Sequence, residues 1–254
     1  MIKVVVPVSG GKDSQACLKL AFQSYEPQEI LGLFCDTQFE HPLTYSHIQK
    51  LNDLYHQRIV TLCAGSVPEK VRQFKRFPGG GARHCTSQLK IEPSIKFYNQ
   101  LATEQNSGFE VWYGMRAEES PEREKRYQGK TDTDLYAPHE LMSNYPKYLA
   151  KMGVMFRLPV IDFSTKEIFD LLGDEVNPLY GKGFARVGCF PCLASGDRWK
   201  EKAFSFDETG AKHYAIVQQL EVEIGKSIFT SKGGSQRNNK DQIDLFQGCA
   251  VCAI

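Results

Sequence analysis

Two groups of residues in this chain have the types and spacing to do chemistry. The first is cysteine. Four of the eight cysteines form two CxxC pairs, Cys189–Phe–Pro–Cys192 and Cys249–Ala–Val–Cys252. In a chain of intracellular character such pairs point to metal or redox chemistry rather than to a disulfide framework. Four thiolates from two pairs suit a tetrahedral zinc ion, and thiolates serve iron–sulfur clusters as well. The second group is the stretch PVSGGKDSQACL, residues 7–18. A glycine-rich turn that opens a helix presents backbone N–H groups to an anion, and the helix dipole adds to them. Gly10 and Gly11 permit close approach, Lys12 supplies a mobile charge, and Ser9 and Ser14 supply hydroxyls. The spacing is not that of a Walker A loop, GxxxxGK[ST].

The elements around these groups follow from apolar periodicity. Residues 2–8, IKVVVPV, form a β-branched run that predicts a buried strand ending at the turn. SQACLKLAFQSY predicts a helix with Cys17, Leu18, Ala21, Phe22 and Tyr25 on one face. EILGLFCDT, HPLTYSHIQKLNDLY and RIVTLCA then predict strand, helix and strand. This alternation predicts an α/β fold with a mostly parallel sheet. RFPGGGARHC, 76–85, reads as a loop, and KIEPSIKFYNQLA as a helix. FEVWYGMRAEES is a strand running into a polar loop. The polar stretch 120–148 predicts an excursion or lid. MFRLPVIDFSTKEIFDLLG pairs a strand with a helix, capped by Ser164 or Thr165 with Glu167 in the first turn. Cys17, Cys35 and Cys63 fall in apolar runs and read as buried packing residues.

Hydrophobic residues make up 41% of the 254, enough for a sizeable core. No apolar run approaches the roughly 20 residues of a membrane span. The start, MIKVVVPVSGG, carries no secretory h-region. A soluble cytoplasmic protein without membrane association is expected. Charge is balanced at net +1. The stretch 70–90 is different: it holds Lys70, Arg72, Lys75, Arg76, Arg83 and Lys90 and no acidic residue. Such a run is either a solvated loop face or a surface for phosphate or sulfate. Neither a repeat nor a clear linker divides the chain. Residues 1–176 are expected to form the α/β domain, with a cysteine-rich region, 177–254, packed on it and not independent.

The hexapeptide SGGKDS, residues 9–14, resembles the signature of the PP-loop ATP pyrophosphatases. FCDTQFEHPLTYSHIQKL, HCTSQLKIEP, WYGMRAEESPER and NPLYGKGFARVGCFPC follow in order. Together they resemble the phosphoadenosine phosphosulfate (PAPS) reductase family of that superfamily, over residues 1–195. The resemblance implies a Rossmann-like twisted parallel sheet flanked by helices. It implies that Ser9, Gly10, Gly11, Lys12, Asp13 and Ser14 hold the pyrophosphate end of ATP with Mg2+, and that Asp36 and Thr37 lie beside the nucleotide. Gly114, Met115, Arg116, Glu118, Glu119, Ser120 and Arg123 match a second signature, in which an arginine suits bidentate binding of phosphate or sulfate.

Family members with a [4Fe–4S] cluster hold it with a Cys-Cys pair and a later CxxC. Here His84–Cys85 stands at the pair, so Cys85, Cys189 and Cys192 are the implied ligands. His84, a cysteine of the terminal pair (Cys249 first) or an exogenous sulfide would complete the set. Zinc on Cys189, Cys192, Cys249 and Cys252 is the alternative.

Two reactions fit the resemblance. In one, ATP is cleaved to AMP and pyrophosphate and sulfur enters an adenylated acceptor such as tRNA or DNA, with Lys12, Asp13 and Arg116 catalytic. In the other, a sulfonucleotide is reduced to sulfite, with Cys249 as nucleophile. Both need a sulfur or electron donor. An intact SGGKDS favours the first, because reductases depart from it. The tail QGCAVCAI also lacks the Glu and Gly that flank the reductase cysteine. A non-catalytic nucleotide-binding subunit is the third reading.

Overall fold

The computed structural model describes residues 1–79 and 83–229. Five parallel strands form one sheet in the order β3-β2-β1-β4-β5. They are β1 (Val4–Val8), β2 (Ile30–Asp36), β3 (Ile59–Cys63), β4 (Glu110–Trp112) and β5 (Met155–Arg157). The expected parallel α/β sheet is therefore present. Every residue of β1 is buried, as a central strand flanked on both faces requires. Successive valines alternate between faces. Val5 joins Leu33, Tyr98, Val111 and Phe156 in one core cluster, while Val4, Val6 and Val8 join Phe34, Trp112 and Leu18 in the other.

Helices α1 (Lys12–Ser24) and α2 (Pro42–Leu54) follow β1 and β2. His47 of α2 is 3% exposed, and its Nε2 donates to Gln15 Oε1 of α1 at 3.0 Å. Burial, with a smaller push from Lys50, lowers its pKa from 6.5 to about 4. The folded pKa is the lower one, so between these values the unfolded chain binds a proton that the folded chain refuses. Stability is then complete above about pH 6.5 and falls as the pH drops towards 4, by up to about 3 kcal/mol from this group. Urea midpoints measured from pH 7 to pH 4.5 should fall less steeply for His47→Gln than for wild type. Parallel slopes would contradict the assignment.

Helix α3 (Val67–Phe74) precedes a helical stretch that starts earlier than expected. It comprises a single turn, α4 (His84–Thr86), a π-helical segment (Ser87–Ile91) and α5 (Glu92–Glu104). His84 and Cys85, expected in a loop, are thus helical. The stretch 120–148 is not a lid. It carries α6 (Pro121–Tyr127), α7 (Pro138–Leu141) and the start of α8 (Tyr148–Lys151). Tyr127, Tyr136, Leu141, Met142 and Tyr145 are buried in the β5-side core, and Tyr136 exchanges two 2.8 Å backbone hydrogen bonds with Phe156. Its polar composition hid five anchoring side chains.

Helix α9 (Thr165–Leu172) has the expected cap: Ser164 Oγ accepts from the Glu167 amide, and Glu167 accepts from the Ser164 amide. Helices α10 (Asp197–Phe204) and α11 (Glu208–Ile224) close the described chain. They form a third apolar cluster with Phe39, Val67, Val71 and Leu89, against which Cys85 and Cys189 pack. No helix among the described residues is long and apolar enough to cross a membrane.

Candidate functional site

Pairing between β1 and β4 stops at Val5–Val111; β1 runs on to Val8 and the turn into α1, and β4 to Trp112 and Gly114–Arg116. Strand order reverses here, and in open α/β sheets ligands bind at such a crevice. A cavity of about 710 Å3 opens at this point. Lys12, Arg83, Lys90, Arg116, Arg123 and Arg186 line it against Asp13, Glu118 and Glu119, six positive groups to three negative. Such an excess favours an anion.

The turn that forms one wall is tightly specified. Gly10 has φ +77°, and a Cβ there would stand 2.7 Å from Thr44 Cγ2. Ser14 Oγ donates to the Gly11 carbonyl at 2.9 Å and accepts from the Ser9 amide at 3.1 Å. Asn177, fully buried, donates to the Gly10 carbonyl at 3.2 Å and to Thr44 Oγ1 at 3.3 Å. Gly114 allows the end of β4 to touch the start of α1, since a Cβ would lie 2.5 Å from the Asp13 carbonyl carbon.

Charges on this wall are interlocked. Lys12 Nζ lies 2.8 Å from Asp13 Oδ2, and Arg116 Nε lies 2.6 Å from Asp13 Oδ1. Arg116, 2% exposed, also donates to Glu118 Oε2 at 2.7 Å, the Phe163 carbonyl at 3.0 Å and Thr165 Oγ1 at 3.1 Å. Of five guanidinium hydrogens four are used, leaving one on Nη2. The expected two-pronged grip on an anion is therefore not set up, and Arg116 instead organises the carboxylates. Burial lowers the Lys12 pKa, and Arg116 and Arg186 add to that against the opposing pull of Asp13. Burial, then Arg186, brings Arg123 down to about 10, although Arg123 is ion-paired with Glu119. Crowded cations of this kind gain most when an anion arrives.

The opposite wall is the loop 183–195 and carries Cys189 and Cys192. The Phe190 amide donates to the Phe39 carbonyl at 2.7 Å, and Glu40 and Cys189 form an antiparallel bridge. Cys189 Sγ lies 3.2 Å from Thr37 Oγ1 and donates to Glu40 Oε1 at 3.8 Å. Burial raises its pKa, and charge on Glu40, Cys192 and Cys85 raises it further against Lys90. Cys85 is raised by burial and then by Cys192. The three thiols are thus electrostatic neighbours. Lys90, 7% exposed, lies on the cavity wall: burial pushes its pKa down, but Cys189, Glu40, Cys35 and Cys85 outweigh that and leave it above the usual lysine value.

Among the described residues no three His, Cys, Asp or Glu side chains are grouped so as to hold a metal ion. A single zinc needs its sulfurs gathered at about 2.3 Å from one centre. A cluster binds each thiolate on a different iron and needs them spread around a larger body. Cys85, Cys189 and Cys192 have thiol donor chemistry that serves either kind of site.

The other expected residues fall as follows. Asp36 and Thr37 do not line the cavity. Asp36 accepts from Tyr45 Oη at 2.8 Å, and Thr37, 1% exposed, serves Glu40 at 2.7 Å. His84 stacks on Phe74 at 4.6 Å, and neither ring nitrogen has a partner among the described residues. Cys249 and Cys252 lie outside the described residues, as does most of the tail. Cys17 and Cys35 are buried as expected, but Cys63 is exposed. The basic run divides: Lys75 and Arg76 are exposed, Arg72 pairs with Glu223 at 2.6 Å, Arg83 lines the cavity and Lys90 is buried. Sequence reasoning gives Lys90 no role beyond the run and does not single out Tyr180, Arg186 or Glu40; the block NPLYGKGFARVGC holds the first two of these three and FCDTQFEHPLTYSHIQKL the last.

A doubly wound parallel sheet with a glycine–lysine turn at its switch point places the molecule among the α/β domains that take their ligands at the strand ends. Residues 3–195 match the model of the phosphoadenosine phosphosulfate reductase domain, and the chain belongs to that family of the PP-loop superfamily. It is 25% identical over 246 residues to an uncharacterised 37.8 kDa protein of Escherichia phage 186, covering 74% of this chain and 66% of that one. It is 29% identical over 194 residues to protein MJ0066 of Methanocaldococcus jannaschii, covering 75% and 36%. The chain therefore spans less than two thirds of either relative. Among solved structures it is similar to phosphoadenylyl-sulfate reductase from Candida auris in a phosphate complex, with TM-score 0.48, 13% identity and coverage of 75% and 83%. It is also similar to FMN adenylyltransferase from Candida glabrata, with TM-score 0.45, 14% identity and coverage of 74% and 53%.

Proposed function

We propose that this protein is an AMP-forming sulfurtransferase. ATP lies with its β- and γ-phosphates on the turn 9–14, and an acceptor oxygen attacks the α-phosphate. Pyrophosphate leaves, and sulfur then displaces AMP from the adenylated carbon. The acceptor is a nucleic acid such as tRNA or DNA. The observation that carries this reading is that the anion turn and the thiols of Cys189 and Cys192 open on one cavity, so an activated acceptor need not leave to meet sulfur.

Lys12 and the α1 amides bind and neutralise the departing pyrophosphate. Asp13 holds Lys12 and Arg116 in place. Cys85, Cys189 and Cys192 would hold a [4Fe–4S] cluster, which when bound would supply a docking point for sulfide. The exposed Lys75 and Arg76 suit the acceptor's backbone. The reductase reading is kept alive by the family's own description, since the same cation excess suits a phosphosulfate.

Protein purified without oxygen should be brown and contain iron, and should release pyrophosphate from ATP in the presence of tRNA or DNA. Sulfite release from PAPS without ATP cleavage would select the reductase reading instead. Colourless protein with stoichiometric zinc would remove the cluster from either.

The two turn glycines separate fold from binding. Gly10→Ala forces a left-handed backbone and a clash with Thr44, and should lower Tm. Gly11 has φ −91°, open to any residue, but its Cβ would lie 3.4 Å from Ser9 Oγ and 3.5 Å from the Val187 carbonyl, in the approach to the turn. Gly11→Ala should keep Tm and lose pyrophosphate binding in calorimetry. Unimpaired binding would place the phosphates elsewhere.

A further inference from the structure

Tyr180 stands where the two walls of the cavity meet. Its ring is fixed edge-on against Phe169, at 5.6 Å between centroids and 89° between planes. Its hydroxyl oxygen accepts from the Lys12 amide, the first of α1, at 2.9 Å. The same oxygen would be 3.4 Å from a Cβ on Gly11, so it lies directly over the turn. A phenol both accepts and donates. The acceptor role is filled, and the one hydrogen it can give has no acceptor among the described residues. Burial and the nearby Asp13 carboxylate keep that hydrogen on the oxygen.

A hydroxyl that accepts from an amide is polarised and donates more strongly in turn. The positive end of α1 is therefore carried outward through the phenol, from the Lys12 amide to the cavity. Around this point the cations are already crowded, and a neutral donor adds a hydrogen bond without adding to their repulsion.

We propose that Tyr180 is a phosphate-binding residue, its hydroxyl relaying the first amide of α1 to an oxygen of the bound pyrophosphate group. The inference rests on the reading of the turn as the ATP-phosphate site. Asn177 fixes its approach, because the same short segment is tied to the Gly10 carbonyl.

The test is direct binding of magnesium pyrophosphate, measured by calorimetry on the full chain, for wild type and Tyr180→Phe, with Tm recorded for each. Phe keeps the ring against Phe169 and removes only the relay. The expected result is a loss of affinity of about tenfold to a hundredfold, the range for a hydrogen bond to a charged group, with Tm little changed. Equal affinity for the two proteins overturns the inference. A lowered Tm with unchanged affinity assigns Tyr180 a purely structural capping role and also overturns it. Should Tyr180→Phe fold poorly, Tyr180→His offers a donor on a shorter ring, and affinity no better than that of a phosphate-blind Gly11→Ala protein would count against the relay. If wild type itself takes no pyrophosphate, the reading of the turn fails first, and that outcome is distinct from the others.

Discussion

Lys12→Ala should leave a folded protein that releases pyrophosphate from ATP about a hundredfold to a thousandfold more slowly than wild type. The fold survives because Asp13 keeps its 2.6 Å partner, Arg116. Activity does not, because Lys12 is the cation that the turn itself places in the cavity. Asp13 holds its charge, and burial, Arg116 and Arg186 oppose it. Negative charge accumulates on the leaving pyrophosphate as the α-phosphate bond breaks, so the interaction strengthens in the transition state. The loss should therefore appear in kcat as well as in KM. Wild-type turnover by Lys12→Ala would place ATP cleavage away from this turn.

Arg116→Met should be the most destabilising single change near the site. The side chain is 2% exposed and links Asp13, Glu118, the Phe163 carbonyl and Thr165. Removing one partner of a buried ion pair costs about 3–5 kcal/mol, because the remaining charge stays buried. Glu118 is half exposed and keeps the Thr165 amide at 2.6 Å, and Asp13 keeps Lys12 at 2.8 Å, so the cost lies at the lower end of that range and falls on the Phe163 carbonyl and on an Asp13 left with one cation where it had two. A fall in Tm of roughly 10 °C is expected. Arg116→Lys can satisfy Asp13 but not Glu118 and Thr165 together, and should recover part of that loss. An unchanged Tm for Arg116→Met would contradict the charge network. Recovery by Lys equal to wild type would reduce the role of Arg116 to a point charge.

The legible parts of this molecule are those written in local physics. β1 and β3 are short β-branched runs and β2 a short apolar one, each between turn residues, and β1 leads straight into the glycine turn. The cap at Ser164 follows from its hydroxyl and from Glu167 three residues on. Both expected chemical groups, the turn and Cys189–Cys192, do line one cavity. The misreadings concern direction. Residues 120–148 look polar because their five buried side chains are sparse, with nine residues from Tyr127 to Tyr136 and five more to Leu141. Thr37 directly follows β2, yet its hydroxyl faces Glu40 and Cys189 rather than the cavity. Lys90 sits in a basic run that composition reads as a surface, solvated or anion-binding, and not as a buried position. Tyr180 could not be singled out, since its role depends on a helix start 168 residues away.

The π-helical segment bears on Lys90. A regular α-helix advances about 100° per residue, so residues five apart, such as Cys85 and Lys90, point about 140° away from each other. A π-turn closes on the fifth residue, and residues five apart come back into phase. The segment Ser87–Ile91 occupies most of the interval between them. It acts as a phase shifter, turning what would be an outward lysine into one that meets Cys85 and Cys189. In such a helix spacing and winding are exchangeable: five residues wound wide aim two side chains at the same target as four wound tight. A chain shorter by one residue here could keep the same pair face to face on an ordinary α-helix.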